Sequence, residues 1–422
     1  MKRLTLKIKT AYIQLPGVVW ALLAANLVFV TTRFMVMPFM AIYFSDKFNM
    51  TPAEVGILIG ISPLSSMLFS IWGGRLGDKI GVHRIFPFAL IIPAISLIGY
   101  VASSNYYVIG VCAAIAGVGW AIFNSSSNAI LSLETPEEHI EKVFSYSYWG
   151  TNLGGVIGPL IGVSILGAGT SGYPILLFSA VLIGIAVTMA SVFKAKGKNS
   201  PAQKTTEEQD GTHPKESVFR QLIKNGVLVW MTISYFLIFF TEAQQDSNIA
   251  QFFSDSFENG VQLFGILLSM IMTIIVVMQP VVAQFIDRVN VKLILAIGCV
   301  LDITGYTILI FNHTVWVWFM SFAIITVGEL IMVPKMQGII AKAAPDHLKA
   351  TYFSVVSMGG NSAYMLGPWI GGILLTFGSI ESLLTLLVIV SATQLFTLLL
   401  GSRAHGRRKH GQINENTLNG TH

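Results

Sequence analysis

Charge is what this chain has least of. Only 11% of its 422 residues are charged and 53% are hydrophobic, whereas a soluble globular chain carries about 25% charged residues. With a mean hydropathy of +0.68, the composition excludes a soluble domain and fits an all-α polytopic membrane protein. Cysteine is nearly absent. Cys112 and Cys299 each lie in an apolar run, which with no histidine cluster excludes a disulfide framework and a zinc site. No cleavable signal stands at the start; "MKRLTLKIKTAYIQLPG" is a basic amphipathic stretch ahead of a full-length span. No G-x-x-x-x-G-K-[ST] loop is present, so ATP does not drive the protein directly. No triad or paired-carboxylate hydrolase pattern stands out, so neither enzyme activity nor a cofactor or metal is expected.

What is present is a series of apolar segments of about 20 residues, the length that crosses a bilayer. Twelve are expected, near 17–42, 53–73, 85–103, 107–130, 144–167, 173–193, 227–252, 261–284, 293–311, 315–338, 352–376 and 380–401. Of 26 Lys and Arg, 23 fall on the side shared by both termini, the even-numbered loops and the 194–226 linker; only Lys47 falls on the other, and Arg33 and Lys335 lie within spans. That asymmetry predicts cytoplasmic termini in a cell membrane. It also explains the net charge of +5 without nucleic acid. The linker is polar and lacks apolar periodicity, as a flexible connector does. The tail 402–422 reads likewise, its basic cluster serving as a topology anchor. Four units follow: a bundle at 1–193, the linker at 194–226, a second bundle at 227–401 and the tail.

A shift of 209 residues superimposes the halves. "TPEEHIEKVFSYSYWGTNLGGVIGPLIG" (135–162) falls on "APDHLKATYFSVVSMGGNSAYMLGPWIG" (344–371), aligning Gly158-Pro159 with Gly367-Pro368 and Asn152 with Asn361. The same shift places Asp78-Lys79 on Asp287-Arg288. Six spans per repeat is an even number, so the halves run parallel. That is the arrangement of the major facilitator superfamily, which holds substrate near mid-membrane between two rocking bundles.

The resemblance to that superfamily sharpens at "GGRLGDKIGVHR" (73–84), which is similar to its signature loop G-x-L-a-D-[RK]-x-G-R-[RK]. Gly74, Gly77 and Gly81 permit a tight turn, and Asp78 can accept hydrogen bonds from a helix N-terminus or a basic residue. The resemblance implies a latch between the halves, with Arg84 and the repeat copy Asp287-Arg288 belonging to it. Val82 departs from the pattern, standing where a basic residue is usual. "GTNLGGVIGPLIG" (150–162) resembles the glycine-proline motif of the drug:proton antiporters. Physically, small residues let backbones approach and Pro159 invites a kink; Gly158, Pro159, Gly367 and Pro368 are therefore helix-packing candidates. In span 4 those antiporters often carry an arginine where this chain has Ala113. "TVGELIMVPKMQG" (326–338) and "TRFMVMPFMAIYF" (32–44) resemble bacterial multidrug and dipeptide exporters of the twelve-helix branch.

Five ionisable residues fall inside spans, each costly there and by default functional: Arg33, Glu242, Asp246, Asp302 and Glu329. At about 1.5 Å per residue, Arg33 and Glu242 reach the outer half of the bilayer and Glu329 the inner half. The 209 shift puts Arg33 on Glu242, so the two either face a cavity or form a fixed pair. Carboxyls in a low-dielectric cavity can hold protons near neutral pH. In the exporters that this chain resembles, an acid in each of spans 7 and 10 couples proton entry to efflux, which implies that role for Asp246 and Glu329, with Glu242 a further candidate. Cavity candidates are Arg33, Phe34, Met37, Phe239, Phe240, Gln244, Gln245, Met332, Asn361 and Tyr364. Asp302 is ambiguous.

The expected function is proton-coupled efflux of drugs, dipeptides or other small amphiphiles. Uptake or uniport of a nutrient is the alternative, and a membrane sensor or lipid flippase a further one. Expected partners are a small-molecule substrate, protons and the lipid bilayer, without nucleic acid and with the chain a monomer. The topology is tested by single cysteines in intact cells. Those at Lys204 and Asn416 should resist an impermeant thiol reagent, and one at Asn312 should react. Labelling at Lys204 from outside would overturn the twelve-span topology.

Overall fold

The computed structural model describes residues 15–136, 139–166, 172–197, 225–286, 289–343 and 349–419. Among these the chain forms twelve long helices. They are α1 (Gly17–Phe48), α2 (Pro52–Ile80), α3 (Val82–Ala102), α4 (Tyr106–Glu134), α5 (Ile140–Leu166), α6 (Tyr173–Gly197), α7 (Gly226–Ser256), α8 (Gly260–Ile286), α9 (Val291–Phe311), α10 (Val315–Ala343), α11 (Lys349–Phe377) and α12 (Ile380–Asn419). Ten are long and apolar enough to cross a membrane. The other two, α5 and α11, are the pair that carries the glycines, serines and asparagines of the internal repeat. Most helices outrun their predicted apolar segments by a turn, because polar residues at the ends still satisfy the backbone ladder. Of the linker, residues 198–224 lie outside the described residues, and α6 runs into its start as far as Gly197. The tail does not behave as a flexible segment: with no proline after Ser402, α12 continues as helix to Asn419.

The repeat carries into the backbone. Shifted by 209, α3 falls on α9 and α4 on α10 at both ends, and α1 and α5 start where α7 and α11 start. Helix starts are set by short polar side chains that satisfy orphan N–H groups. Thr51 and Glu54 form a reciprocal capping box at α2, and Asn105, Asn225 and Asn290 accept from the first turns of α4, α7 and α9. Between α2 and α3 the chain turns at Gly81, whose φ of 97° lies where only glycine is unstrained.

Without a hydrophobic drive between helices in lipid, close packing of small residues holds them together. On α5, Gly154, Gly158 and Gly162 form a row four apart. A Cβ on Gly158 would lie 2.5 Å from the Thr31 carbonyl oxygen and 2.7 Å from Phe34 Cβ, so α5 lies directly on α1. The same row in the second half puts Gly367 and Gly371 of α11 against Ala243 and Gln244 of α7. Between the halves, Gly56 and Gly60 of α2 meet the α11 backbone at Pro368 and Met365, and Gly372 meets that of Pro52. The Ala53 N–H donates to Thr376 Oγ1 at 3.2 Å. At the same end Phe39 of α1 meets Phe264 of α8 edge-on at 6.1 Å. Phe39 and Ile42 thereby join the apolar core formed by Phe253, Phe264 and Trp318 in the second half. These contacts close the halves together at the end opposite the chain termini.

That closure depends on glycine, so Gly56→Leu should open it. Spin labels at Ser104 and Asn312, one in each half at that end, should then move apart by several ångströms. An unchanged distance distribution would show that the α2–α11 contact does not hold the closure.

Candidate functional site

The two helices that bring charge into the interior are both broken at the same register. In α1 a 3₁₀ turn occupies Met37–Phe39, where Pro38 lacks the N–H that the ladder needs. In α7 a π-helical turn occupies Gln245–Ile249; such turns often mark functional sites. Shifted by 209, Met37–Phe39 falls inside this π turn. One helix of the pseudo-symmetric pair is overwound and the other underwound, where the two helices meet.

The wide turn at α7 is pinned to α11. The Gln244 Nε2 donates to the Gly367 carbonyl at 2.8 Å, and Asn248 Nδ2 donates to Gln244 Oε1 at 2.7 Å and to the Pro368 carbonyl at 3.0 Å. Both side chains are fully buried. Gln244, a cavity candidate by sequence, thus has its amide committed to helix pairing. Phe240 is buried in the apolar core. Phe34 and Met37 are half-buried, Phe34 lying against the α5 glycine row. Asn361 is exposed on α11. Phe239 packs against Tyr364 at 6.0 Å between centroids.

The carboxyls gather in the second half. Tyr364 of α11 donates to Glu242 Oε2 at 3.2 Å. Glu242 lies within electrostatic reach of Glu329 on α10 and of Asp246, one turn along α7. Asp302 on α9 lies within reach of Glu242, and Glu329 within reach of Asp302. Glu329 is half-buried, and its Oε1 is shut from solvent without a hydrogen-bond partner. From the first half comes Arg33, exposed and within reach of Asp246 and Tyr364. Among the described residues no salt bridge joins Arg33 to Glu242, so the fixed pair is not formed. The structure thus gathers Glu242, Asp246, Asp302 and Glu329 into one wall of acids linked through Glu242, with Arg33 within reach of Asp246. Tyr306, one turn beyond Asp302, reaches toward Asp302, Glu329 and Glu242; sequence reading missed it and Asn248. The i, i+4 spacing from Asp302 to Tyr306, and from Gln244 to Asn248, was the available signal.

At the near end, His83 meets Glu134 at 2.8 Å, tying the start of α3 to the end of α4, and Arg84 is exposed. Gly74 and Asp78 lie on α2, with their side chains outside the described residues, as are Asp287 and Arg288 altogether.

Residues 22–301 and 231–418 match the Major Facilitator Superfamily. The chain belongs to that family. It is a multi-pass membrane protein and a secondary transporter, not an enzyme, of a family that binds small molecules and couples to ions such as protons. An uncharacterized MFS-type transporter, YdeE of Escherichia coli (strain K12), is 26% identical over 91% of this chain and 95% of its own. A Na(+), Li(+), K(+)/H(+) antiporter of Planococcus maritimus is 26% identical over 80% and 85%. A homolog of the multi-drug resistance efflux pump PmrA from Lactococcus lactis subsp. lactis (strain IL1403) is 30% identical over 36% and 38%. In fold the transporter is similar to the crystal structure of a bacterial homolog of the human lysosomal transporter Spinster, with a TM-score of 0.75, 15% identity, and coverage of 92% and 97%.

Gln244 and Asn248 make a test that separates scaffold from coupling. Gln244→Leu removes the bond to the Gly367 carbonyl and the acceptor for Asn248, which keeps only the Pro368 carbonyl, a loss of about 1–3 kcal/mol. The purified transporter should melt at a lower temperature while the pH dependence of transport stays unchanged. A shifted pH profile at unchanged melting temperature would place Gln244 in the coupling site instead.

Proposed function

We propose that this transporter couples inward proton movement to efflux of drugs, dipeptides or other small amphiphiles, working as a monomer in the cell membrane with both termini cytoplasmic. The observation that carries this reading is the wall of carboxyls on α7, α9 and α10. They are close enough to repel one another, and the second half brings them no salt-bridge partner among the described residues. Such groups cannot all be ionised in a low-dielectric site, so the wall exchanges protons with whichever side it faces. The drug-efflux relative and the cation/proton antiporter relative support the same direction and the same currency.

In this scheme the units are the bundles 1–193 and 227–401, the linker 194–226 and the tail 402–422. The conformation described is shut at the end opposite the termini, so the cavity is reached from the cytoplasmic side. Glu329, deeper toward that side, exchanges its proton with the cytoplasm; Asp246, in the broken outer part of α7, exchanges with the outside, with Glu242 between them. Arg33 approaches Asp246 as the halves close and favours release of its proton, because a cation stabilises the carboxylate. Phe34, Met37, Phe239 and Tyr364 give the cavity an adaptable apolar surface, with Asn361 as a polar contact. The loop carrying Gly74, Asp78, Gly81 and Arg84, with Asp287 and Arg288 in its repeat copy, latches the cytoplasmic ends of the halves when the transporter faces outward.

Glu329→Gln keeps size and hydrogen bonding and removes titration. In inverted vesicles, efflux driven by a pH gradient should collapse while substrate binding persists. Asp246→Asn should behave similarly but respond to external pH. The double variant should lose little beyond the worse single one, as residues of one cycle do. Normal transport by Glu329→Gln with an unchanged pH dependence would sink the scheme.

A further inference from the structure

Asp302 is the most deeply buried carboxyl of the wall, at 3% exposure, and the coupling scheme gives it no step of its own. Its Oδ1 has no hydrogen-bond partner. It rests on the backbone of α10 at Gly328, where a Cβ would lie 2.6 Å from Oδ1 and 2.8 Å from the Gly298 carbonyl oxygen. Only glycine lets the carboxyl sit there. The next residue along α10 is Glu329, whose Oε1 is also buried and unpartnered.

Among the described residues, the groups recorded near Asp302 give it no counter-charge. On its own helix these are Cys299 and Tyr306, the Tyr306 hydroxyl lying toward Thr241 of α7. From α10 comes Glu329, and from α7 Glu242. On α12, which packs along α9, the Gln394 amide is turned to Met332 Sδ at 3.5 Å.

Packing does not require an acid here. The repeat supplies the control: shifted by 209, Asp302 falls on Pro93 and Gly328 on Gly119. A Cβ on Gly119 would lie 2.5 Å from Pro93 Cδ. The first half therefore closes the same helix crossing with an apolar ring. An uncompensated carboxyl at that crossing is strongly disfavoured in its charged form, and the second half carries one.

We propose that Asp302 is the proton-storing partner of Glu329, the two carboxyls on either side of the Gly328 contact holding one proton between them. When Glu329 gives up its proton inside the closed bundle, the O–H bond of Glu329 breaks and an O–H bond forms on the Asp302 carboxylate. The pair keeps a net charge of −1 throughout. Asp302 thus spares the site a second buried negative charge while Glu329 is occupied with substrate or is out of contact with the cavity. This rests on the coupling role given to Glu329, and the test separates the two.

Carbodiimide reacts with protonated carboxyls. Its attachment to Glu329 in the purified full-length transporter, read by peptide mass spectrometry, reports that residue's protonation at each pH. Two coupled carboxyls lose their protons in two separated steps. In the unaltered protein, labelling should therefore decline over a range broader than a single site gives. In Asp302→Asn the range should narrow and the midpoint move down by about one pH unit or more, because Glu242 is then the remaining carboxyl within reach of Glu329. Equal midpoints would overturn the proposal. Should the asparagine variant fail to fold, the unaltered protein decides alone, since a single-site curve there would also overturn it. Should Glu329→Gln transport normally while the midpoint still shifts, the coupling scheme falls and the shared proton stands; collapse of transport without a shift gives the reverse.

Discussion

A carboxyl in the membrane interior must be neutral, paired or repaid elsewhere, and the second half of this transporter carries four at close range. Its scaffold can be read as the answer to that constraint. Charges of one sign on α7, α9 and α10 converge only because α9 and α10 cross at Gly298 and Gly328, residues that let the two backbones touch. The π turn at Gln245–Ile249 sets Asp246 where α7 meets α1. That turn is held by Gln244 and Asn248, whose buried amides answer two carbonyls of α11. Removing lipid-style packing at any of these points would leave the acids either exposed to lipid or too far apart to interact.

Much of the fold was legible in the sequence because two signals reinforced each other. Length and hydropathy located the spans, and the 209-residue shift, visible in Gly158-Pro159 over Gly367-Pro368, fixed their register between halves. The glycine rows of α5 and α11 could be read as close-packing faces from spacing alone. Arg33, Glu242, Asp246 and Glu329 stood out because ionisable residues are rare in spans. Their distribution over one wall did not follow from the sequence. Spacing relates residues within one helix, whereas the meeting of Asp302 with Glu329 depends on how α9 crosses α10. The π turn was hidden for a related reason: an inserted half-turn is stabilised by tertiary hydrogen bonds, and Gln244 read as a ligand-facing amide until its partners on α11 were seen.

The repeat makes the chemistry easier to locate, since a symmetric scaffold exposes every asymmetric side chain. Position by position, Arg33 answers Glu242, Met37 answers Asp246, Pro93 answers Asp302 and Trp120 answers Glu329. At that last position the first half stacks Trp120 on Phe178 at 6.2 Å and 15°, surrounded by Phe29 and Phe123. An aromatic cluster of that kind adds rigid apolar packing and no titratable group. Glu329 is thus the acid in a place where the fold accepts, and in the other half prefers, a hydrophobic side chain.

The two halves therefore divide the work. The first is a rigid apolar bundle that contributes one cation and a glycine-lined face. The second contains the titrating groups and the broken helix that brings them to the interface. Because Arg33 belongs to the first half and Asp246 and Tyr364 to the second, the separations between them are the electrostatic distances in the site that change if the halves rock. Distances within the carboxyl wall lie inside a single bundle and need not change. A proton held within the wall can then be passed among its members at little cost, and only the approach of Arg33 distinguishes one face of the cycle from the other. On this reading, the charge on α1 sets when protons leave, and the carboxyls of the second half set how many can be held.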